Sequence, residues 1–426
     1  MSKRSFPTVD TSRNDSLPPV WLLGLGNAVF GLAGGFLVLP LPQMLAHQGV
    51  DPLRIAAISA ACFSPGFWTF ALGPLLDVHF ARRSWATAFA VLAGLAMMIA
   101  LGERAHLHVL ELFLTISYAA ATLCSNALGG WLASLVPEDD EGGVFESRLS
   151  ACTQVALFLG NGLMAALAGE LLRRAPGWSP AVFLGVLVML PALSFVWIPR
   201  PAEEQRLPLH HLRSTFRSFS AELRHLLRQQ RVLFTLALFV LPTGSFALTN
   251  QLSGVASGFG ATEQFVARMG GAALSGAGAA ACLLVPVLSR RVRPLKLYLG
   301  IGITGCVFTL GLLFLPRTPP VFALGFLGEN VFQAMSFTAA VAIVLELIGR
   351  GNPLAGTLFG LLTSATVLPI LVMGVLDGRA AARQGTNGML AVDGLVGLAA
   401  CLGMAGGMWL RERKQKRLES RLPSRL

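Results

Sequence analysis

The chain has 426 residues, of which 54% are hydrophobic and only 13% are charged, and its mean hydropathy is +0.64. A soluble domain carries about 25% charged residues, so this composition excludes an ordinary soluble enzyme and also a disordered or collagen-like chain. It is typical of a protein that crosses a membrane many times. The formal net charge of +11 suggests a nucleic-acid partner, unless the basic residues follow a membrane topology.

Twelve apolar runs are long enough to cross a membrane. A transmembrane helix needs about 20 apolar residues, whereas the strands of a membrane β-barrel alternate over about ten. Lipid offers no partner to free backbone groups, so the runs are predicted to be helices. The predicted spans, numbered 1 to 12 in chain order, are residues 21–45, 54–76, 85–102, 109–135, 149–171, 181–198, 232–257, 264–288, 297–315, 320–348, 355–376 and 389–410.

The basic residues divide unequally between the two sides of these spans. Of the 33 lysines and arginines, 25 fall on one side, which includes both termini, and 8 fall on the other. The positive-inside rule places the richer side in the cytoplasm. The net charge therefore follows from orientation and not from nucleic-acid binding. We expect a multi-pass protein of the inner membrane whose surroundings are the lipid bilayer.

The spans divide six and six around the longest hydrophilic segment. Pro74 matches Pro286 and Ser150 matches Ser364, at offsets of 212 and 214 residues, which are close to half the chain. The predicted fold class is an all-α membrane protein whose twelve transmembrane helices form two pseudo-symmetric six-helix bundles. The predicted domains are a cytoplasmic N-terminal tail (1–20), a first bundle (21–198), a cytoplasmic linker (199–231), a second bundle (232–410) and a basic cytoplasmic tail (411–426).

The loop between spans 2 and 3 carries a motif, GPLLDVHFARR at residues 73–83. Gly73, Asp77, Arg82 and Arg83 match the pattern G-x-x-x-D-R/K-x-G-x-R/K-R/K, and the chain thereby resembles the major facilitator superfamily. The pattern's first basic residue and second glycine are missing. An aspartate at a helix end can pair with basic groups or with the N-terminus of a neighbouring helix. Asp77, Arg82 and Arg83 are therefore the predicted gating residues.

Within that superfamily the chain is similar to the muropeptide-permease (AmpG-like) branch, which also includes siderophore importers. The similarity is carried by Gly34-Gly35, by Gly328-Glu329-Asn330 and by residues 352–357. It implies a secondary active transporter, a proton symporter that imports a small polar solute such as a muropeptide or siderophore across the inner membrane by alternating access. The partners implied are that solute and protons, and a monomer is the expected oligomeric state.

Glu329 is the acidic residue that the sequence places deep within a span. It lies about nine residues into span 10, roughly 13 Å below the surface at 1.5 Å per residue. The other intramembrane acids, Glu111, Glu170, Glu346, Asp377 and Asp393, are expected at span ends. An ionisable group in the bilayer costs about 2.5–3.5 kcal/mol, which points to a functional role. Glu329 is therefore the candidate proton-coupling residue, with a structural hydrogen bond between helices as the alternative.

Polar side chains on spans 1, 4, 7 and 10 are candidates for solute binding, because the superfamily resemblance implies that these spans line the cavity. Each alone is also compatible with a hydrogen bond between helices. Residues 249–251 additionally mark a predicted break in span 7. No basic residue lies deep in a span, which disfavours a highly anionic solute. The candidate contacts are Asn27, Tyr118, Asn126, Asn250, Gln251 and Gln333.

The sequence gives little support to an enzymatic function. The sequence lacks the HExxH, GxSxG and GxxxxGK[ST] motifs, and its seven histidines lie in loops or at span ends. We therefore expect no catalytic residues, no metal and no cofactor. Two alternatives to an importer stay open: an exporter of drugs or metabolites with the same fold, and a transport-inactive membrane receptor or assembly factor.

Overall fold

The computed structural model describes residues 18–77, 80–137, 143–174, 177–199, 228–349 and 352–419. Every regular element in these ranges is helical. Most of the predicted linker and of the N-terminal tail, and the end of the C-terminal tail, lie outside the described residues.

The helices of the first six spans agree with the predicted runs. Spans 1, 2 and 6 are divided into shorter segments, and several of these begin at prolines, which lack a backbone N–H and fit the first turn of a helix. The segments are Val20–Leu25, Ala28–Val38 and Pro40–His47 (span 1), Pro52–Phe63, Pro65–Trp68, Thr69–Leu72 and Gly73–Leu76 (span 2), Arg82–Gly102 (span 3), Leu107–Ala133 (span 4), Val144–Arg174 (span 5), and Ser179–Met189 and Leu190–Val196 (span 6).

The helices of the second six spans are less regular. The short 3₁₀ segments and one π turn fall in spans 7, 8 and 9, and span 10 is a single uninterrupted helix. The segments are Gln230–Val240, Ala247–Asn250 and Leu252–Phe259 (span 7), Glu263–Arg268, Met269–Ala273, Leu274–Cys282 and Leu284–Ser289 (span 8), Pro294–Gly311 and Leu312–Phe314 (span 9), Pro319–Ile348 (span 10), and Ala355–Ala365 and Leu368–Glu419 (spans 11 and 12).

Two irregularities reconcile these helices with twelve spans. In the described part of the chain, ten helices are long and apolar enough to cross a membrane. The last of these covers two predicted spans, because Gly385 (φ 64°) interrupts the helix Leu368–Glu419. Span 7 is absent from the ten because its helix ends at Val240 and continues as short 3₁₀ segments. The predicted break in span 7 is thus confirmed, and it begins before residue 249.

Spans 1 and 5 pack closely within the first half through small residues. A Cβ atom on Gly31 would lie only 2.2 Å from the carbonyl oxygen of Leu157. Without a hydrophobic driving force between helices in lipid, such backbone proximity is a main source of helix association. Glycine at position 31 therefore lets the two helices pack at this distance.

The two halves meet along spans 2, 4 and 5 of the first half and spans 8, 10 and 11 of the second. Ser147 donates a hydrogen bond to Ser289 over 2.9 Å, and Ser150 donates to the carbonyl oxygen of Thr338. The Ser147–Ser289 contact lies at the ends of spans 5 and 8, on the side that the charge distribution predicts to be cytoplasmic, and the Ser150–Thr338 contact lies deeper in the same half of the membrane. On this side the two halves are in contact.

Candidate functional site

The motif in the loop after span 2 forms a buried contact between the halves. Asp77 and Arg82 are only 2% and 3% exposed. Arg82 donates to Oδ1 of Asp77 through Nε (3.1 Å) and Nη2 (3.0 Å), and Nη2 also reaches the carbonyl oxygens of Asn352 and Pro353 at 3.2 Å. The guanidinium therefore joins the span 2–3 loop to the start of span 11.

The carboxylate of Asp77 completes the contact by capping span 11. Its Oδ1 accepts from the backbone N–H of Gly356 at 3.0 Å, and its Oδ2 accepts from the N–H (2.9 Å) and hydroxyl (2.8 Å) of Thr357. A negative charge at a helix N-terminus satisfies free N–H groups and interacts favourably with the helix dipole. We call Asp77, Arg82, Gly356 and Thr357 the latch.

A close approach at Gly73 supports the latch. A Cβ atom at this position would lie 2.8 Å from the Cα of Thr357. The motif glycine therefore lets the end of span 2 approach the start of span 11. Arg83 is half-buried, and no described contact of Asp77 involves it. Of the three predicted gating residues, the structure brings Asp77 and Arg82 together and places Arg83 beside them.

Two of the candidate solute contacts are used in hydrogen bonds between helices. Asn27 donates to the carbonyl oxygen of Thr153 at 3.0 Å and accepts from the hydroxyl of Ser125 at 2.7 Å, so it joins span 1 to spans 5 and 4. Gln333 donates to the carbonyl oxygens of Ser245 (3.1 Å) and Phe246 (3.2 Å). Both side chains are buried.

The Gln333 contact stabilises the break in span 7. Phe246 has a φ of 43°, in the left-handed region that is uncommon for residues other than glycine. Its carbonyl group lies where the regular helix has ended, and Gln333 supplies a donor to it. Gln251, after the same break, donates to the carbonyl oxygen of Gly374 in span 11 at 2.7 Å. Irregular backbone inside a membrane requires such internal partners.

The other three candidates lie in different surroundings. Tyr118 packs between Phe30, which is stacked on it, and Phe63, which meets it edge-on, with both ring centroids 5.4 Å away. Asn126 is buried at the contact between spans 4 and 11, and its Nδ2 has no hydrogen-bond partner among the described residues. Asn250 is exposed. The structure thus places the six candidates in several different surroundings.

Glu329 is completely buried, at 0% exposure. Its Oε1 accepts a hydrogen bond from the hydroxyl of Thr309 in span 9, and its Oε2 has no partner among the described residues. It shares its helix face with the buried Gln333 and Ser336, as the spacing predicts. The groups that Glu329 meets belong to the second half, so its side chain points into that bundle.

Asp377 and Asp393 are not at helix ends, and the expectation that placed them there is wrong. Asp377 is 0% and Asp393 6% exposed. Helical structure continues from Asp377 to the interruption at Gly385 and resumes well before Asp393, so both lie inside helices. Gly394, next to Asp393, lies against Leu310 of span 9, the residue after Thr309, whose hydroxyl donates to Glu329. Sequence reasoning missed them because the polar stretch between them was interpreted as a loop.

Comparisons with known proteins agree with this architecture. The sequence matches the Major Facilitator Superfamily family over residues 23–373. A comparison with curated protein sequences finds no significant match. The family match covers most of the chain. A chain with these spans and this latch is a transporter of the major facilitator type.

The chain belongs to the Major Facilitator Superfamily. Solved structures share its fold. The proton:xylose symporter XylE is 16% identical with a TM-score of 0.65, over 91% of this chain and 94% of that one. The E. coli fucose:proton symporter FucP is 15% identical with a TM-score of 0.70, over 91% of this chain and 97% of that one. The human organic anion transporter MFSD10 is 17% identical with a TM-score of 0.68, over 91% of this chain and 100% of that one. The predicted fold class is confirmed.

Proposed function

We propose that the protein imports a small polar solute together with protons by alternating access between its two six-helix halves. The observation that carries this proposal is Glu329, a fully buried acid in span 10 that forms no ion pair among the described residues. Proton binding avoids the cost of leaving an unpaired charge inside the membrane. Two of the structural relatives are named as proton symporters, which supports the same coupling ion.

The latch supports alternating access in this proposal. A transporter of this kind must close one side of the membrane while the other is open. The buried Asp77–Arg82 pair and its contacts with span 11 hold the halves together at one end of the spans. We assign this end to the cytoplasm, with Arg83 as an accessory basic group, both termini on that side, and the inner membrane as the location.

The proposed solute is a muropeptide or a siderophore, as expected for the AmpG-like branch. Sugar symporters among the structural relatives favour a solute that contains a sugar ring. Tyr118, with Phe30 and Phe63 around it, offers aromatic faces against which such a ring can pack. Asn126, Asn250 and Gln251 remain proposed polar contacts.

The other proposed details follow the sequence. Asn27 and Gln333 keep a proposed role in solute binding only where it is compatible with the hydrogen bonds that they already make. The halves are residues 21–198 and 232–410, joined by a cytoplasmic linker at 199–231. We propose that the protein acts as a monomer, as a carrier and not as an enzyme, without a cofactor and without a nucleic-acid partner.

Uptake into proteoliposomes tests the proposal. Purified protein is reconstituted, an inward-directed pH gradient is imposed, and accumulation of a radiolabelled muropeptide or a ferric siderophore is measured. Wild type should accumulate one of these solutes, and collapse of the gradient with a protonophore should abolish accumulation. Glu329→Gln should lose gradient-driven accumulation but keep solute exchange. Glu111→Gln, at the start of span 4, is the matched control and should retain both activities.

Several outcomes contradict the proposal. Accumulation by Glu329→Gln that equals wild type would remove the coupling role of Glu329. Uptake that ignores the pH gradient would remove protons as the coupling ion. Solute binding without any exchange would favour the transport-inactive receptor. Gradient-driven movement of the solute out of the vesicles, instead of into them, would favour an exporter.

A further inference from the structure

Three acidic side chains come together inside the second half. Glu329 comes from span 10, and Asp377 and Asp393 come from the two helical parts of Leu368–Glu419 on either side of Gly385. Glu329 accepts a hydrogen bond from Thr309 of span 9, and a Cβ atom on Gly394, next to Asp393, would lie 2.7 Å from the side chain of Leu310 in the same span, so both acids lie beside one turn of span 9. Asp377 and Asp393 lie at equal distances along the chain from the interruption at Gly385. We call these three residues the carboxyl cluster.

The cluster occupies one level of the membrane. Glu329 lies ten residues after Pro319, Asp377 eight residues before Gly385, and Asp393 eight residues after it. Pro319 and Gly385 both lie on the side opposite the latch. At 1.5 Å per residue the three side chains are therefore about 12–15 Å from that side. Helices that belong to different parts of the sequence thus present their acids at a similar depth.

The cluster has too few partners for three negative charges. In the described part of the chain, hydrogen-bond partners are lacking for Oε2 of Glu329, for both carboxyl oxygens of Asp377 and for Oδ1 of Asp393. Among the described residues, the hydroxyl of Thr309 donates to the other oxygen of Glu329. None of the described ion pairs includes any of the three acids. Buried carboxylates without donors or cations are strongly disfavoured, so the unpartnered oxygens indicate a positively charged ligand.

The surroundings favour protons over a metal ion. Within the described residues, no group of three histidine, cysteine, aspartate or glutamate side chains is arranged to hold a metal. Of the described titratable groups, the Cys306 thiol of span 9 also lies beside the cluster, since Gly394 and Gly397 of span 12 lie against Cys306. The segment Ala247–Asn250 of span 7 packs against span 10 and against the helix Leu368–Glu419, and it carries no titratable side chain.

We propose that Glu329, Asp377 and Asp393 bind protons as one unit, with Asp393 as the intermediate through which a proton passes between Glu329 and Asp377. In each step the O–H bond of one carboxylic acid breaks as an O–H bond forms on the neighbouring carboxylate, so charge and protons balance. This inference rests on the proposed proton-coupled transport and extends it from one acid to three. Asp377 and Asp393 thereby become coupling residues.

Infrared titration of the reconstituted protein tests the proposal without a solute. The C=O stretch of protonated carboxyl groups is recorded as the pH is raised, for wild type and for Glu329→Gln, Asp377→Asn and Asp393→Asn. Acids that titrate as one unit change one another's apparent midpoints. We expect each substitution to move the midpoint of the remaining cluster signal by about one pH unit, as for carboxyl groups that share a site. Glu111→Gln should leave that signal unchanged.

Independent titration would overturn the proposal. In that case each substitution removes its own part of the signal, and the midpoints of the other two acids stay the same. Asp393→Glu keeps the acid and should retain the coupled titration, so it replaces Asp393→Asn if the latter fails to fold. A coupled titration in a protein that shows no gradient-driven uptake would support the cluster and reject the proposed transport. Gradient-driven uptake together with independent titration would support the proposed transport and reject the cluster.

Discussion

The carboxylate of Asp77 accepts hydrogen bonds from both the backbone N–H and the hydroxyl of Thr357, at 2.9 Å and 2.8 Å, across 280 positions of the chain. This pair joins the end of span 2 to the start of span 11 and thus one half of the transporter to the other. Because Asp77 is buried, its interactions are little screened by salt. The contact should therefore contribute to the balance between the closed and open states of this side.

Asp77→Asn should open the latch side. The substitution removes a charge that interacts with Arg82 and with a helix N-terminus, and hydrogen bonds to charged groups contribute about 1.5–3 kcal/mol each. A loss in this range changes the ratio of closed to open states by roughly 10- to 150-fold. The measurement is the maleimide reactivity of Ala355→Cys, a buried position beside the latch, in an otherwise cysteine-free chain.

The control for this prediction is Asp51→Asn. Asp51 caps the helix that begins at Pro52, is exposed and lies on the opposite side. Asparagine is an equally good helix cap, so reactivity at position 355 should not change. Equal reactivity of wild type and Asp77→Asn would show that the latch does not control opening.

Thr357→Val should have a smaller effect than Asp77→Asn. It removes the hydroxyl donor but leaves the backbone N–H of residue 357 in place, so Asp77 keeps its other partners. The expected loss is about 1 kcal/mol, the typical contribution of a single hydrogen bond. The same maleimide assay should rank wild type, Thr357→Val and Asp77→Asn in that order of increasing reactivity. A reversed order would assign the latch to the hydroxyl instead of the carboxylate.

Gly31→Ala should destabilise the first half. The added methyl group would lie 2.2 Å from the carbonyl oxygen of Leu157, so spans 1 and 5 must move apart. Overpacking of this kind costs about 1–3 kcal/mol. The thermal unfolding of detergent-solubilised protein measures the effect. Gly300→Ala, with open space around its added methyl group, is the matched control and should leave stability equal or slightly higher.

Asn27→Ala distinguishes a structural from a solute-binding role. The substitution leaves the hydroxyl of Ser125 and the carbonyl of Thr153 without their partner, at a cost of about 1–3 kcal/mol. We expect lower thermal stability, and a raised KM for the transported solute only if Asn27 also contacts the solute. Asn250→Ala, at an exposed position, should show the reverse pattern if Asn250 contacts the solute. A raised KM with normal stability in Asn27→Ala would contradict the structural role.

The architecture could be predicted from the sequence, because the hydrophobic runs, the unequal distribution of basic residues and the motif around Asp77 are all visible along the chain. It also identified Glu329, whose position deep in an apolar run is visible without a structure. Asp377 and Asp393 were not predicted as site residues because they border a stretch with Arg379 and Arg383, and hydropathy does not distinguish a polar helix from a loop. Their proximity to Glu329 arises only when three helices pack.

The roles of the candidate solute contacts could not be predicted from the sequence, for a different reason. Asn27 and Gln333 were chosen as polar side chains on helices expected to line a cavity, yet an amide at such a position serves equally well to join two helices. The direction in which each side chain points depends on the neighbouring spans. The break in span 7 was predicted from polar residues 249–251, whereas it begins where the helix ends at Val240. Its partner Gln333 comes from a different span.

Two of the donors in the latch, at Gly356 and Thr357, are backbone amides. Every residue except proline supplies such a donor, so side chains at the start of span 11 can vary during evolution while the contact persists, provided that they leave room for Asp77. No comparable replacement exists for the acceptor, because the carboxylate belongs to one side chain. Related transporters should therefore tolerate drift on the span 11 side of this contact and resist it at the position of Asp77.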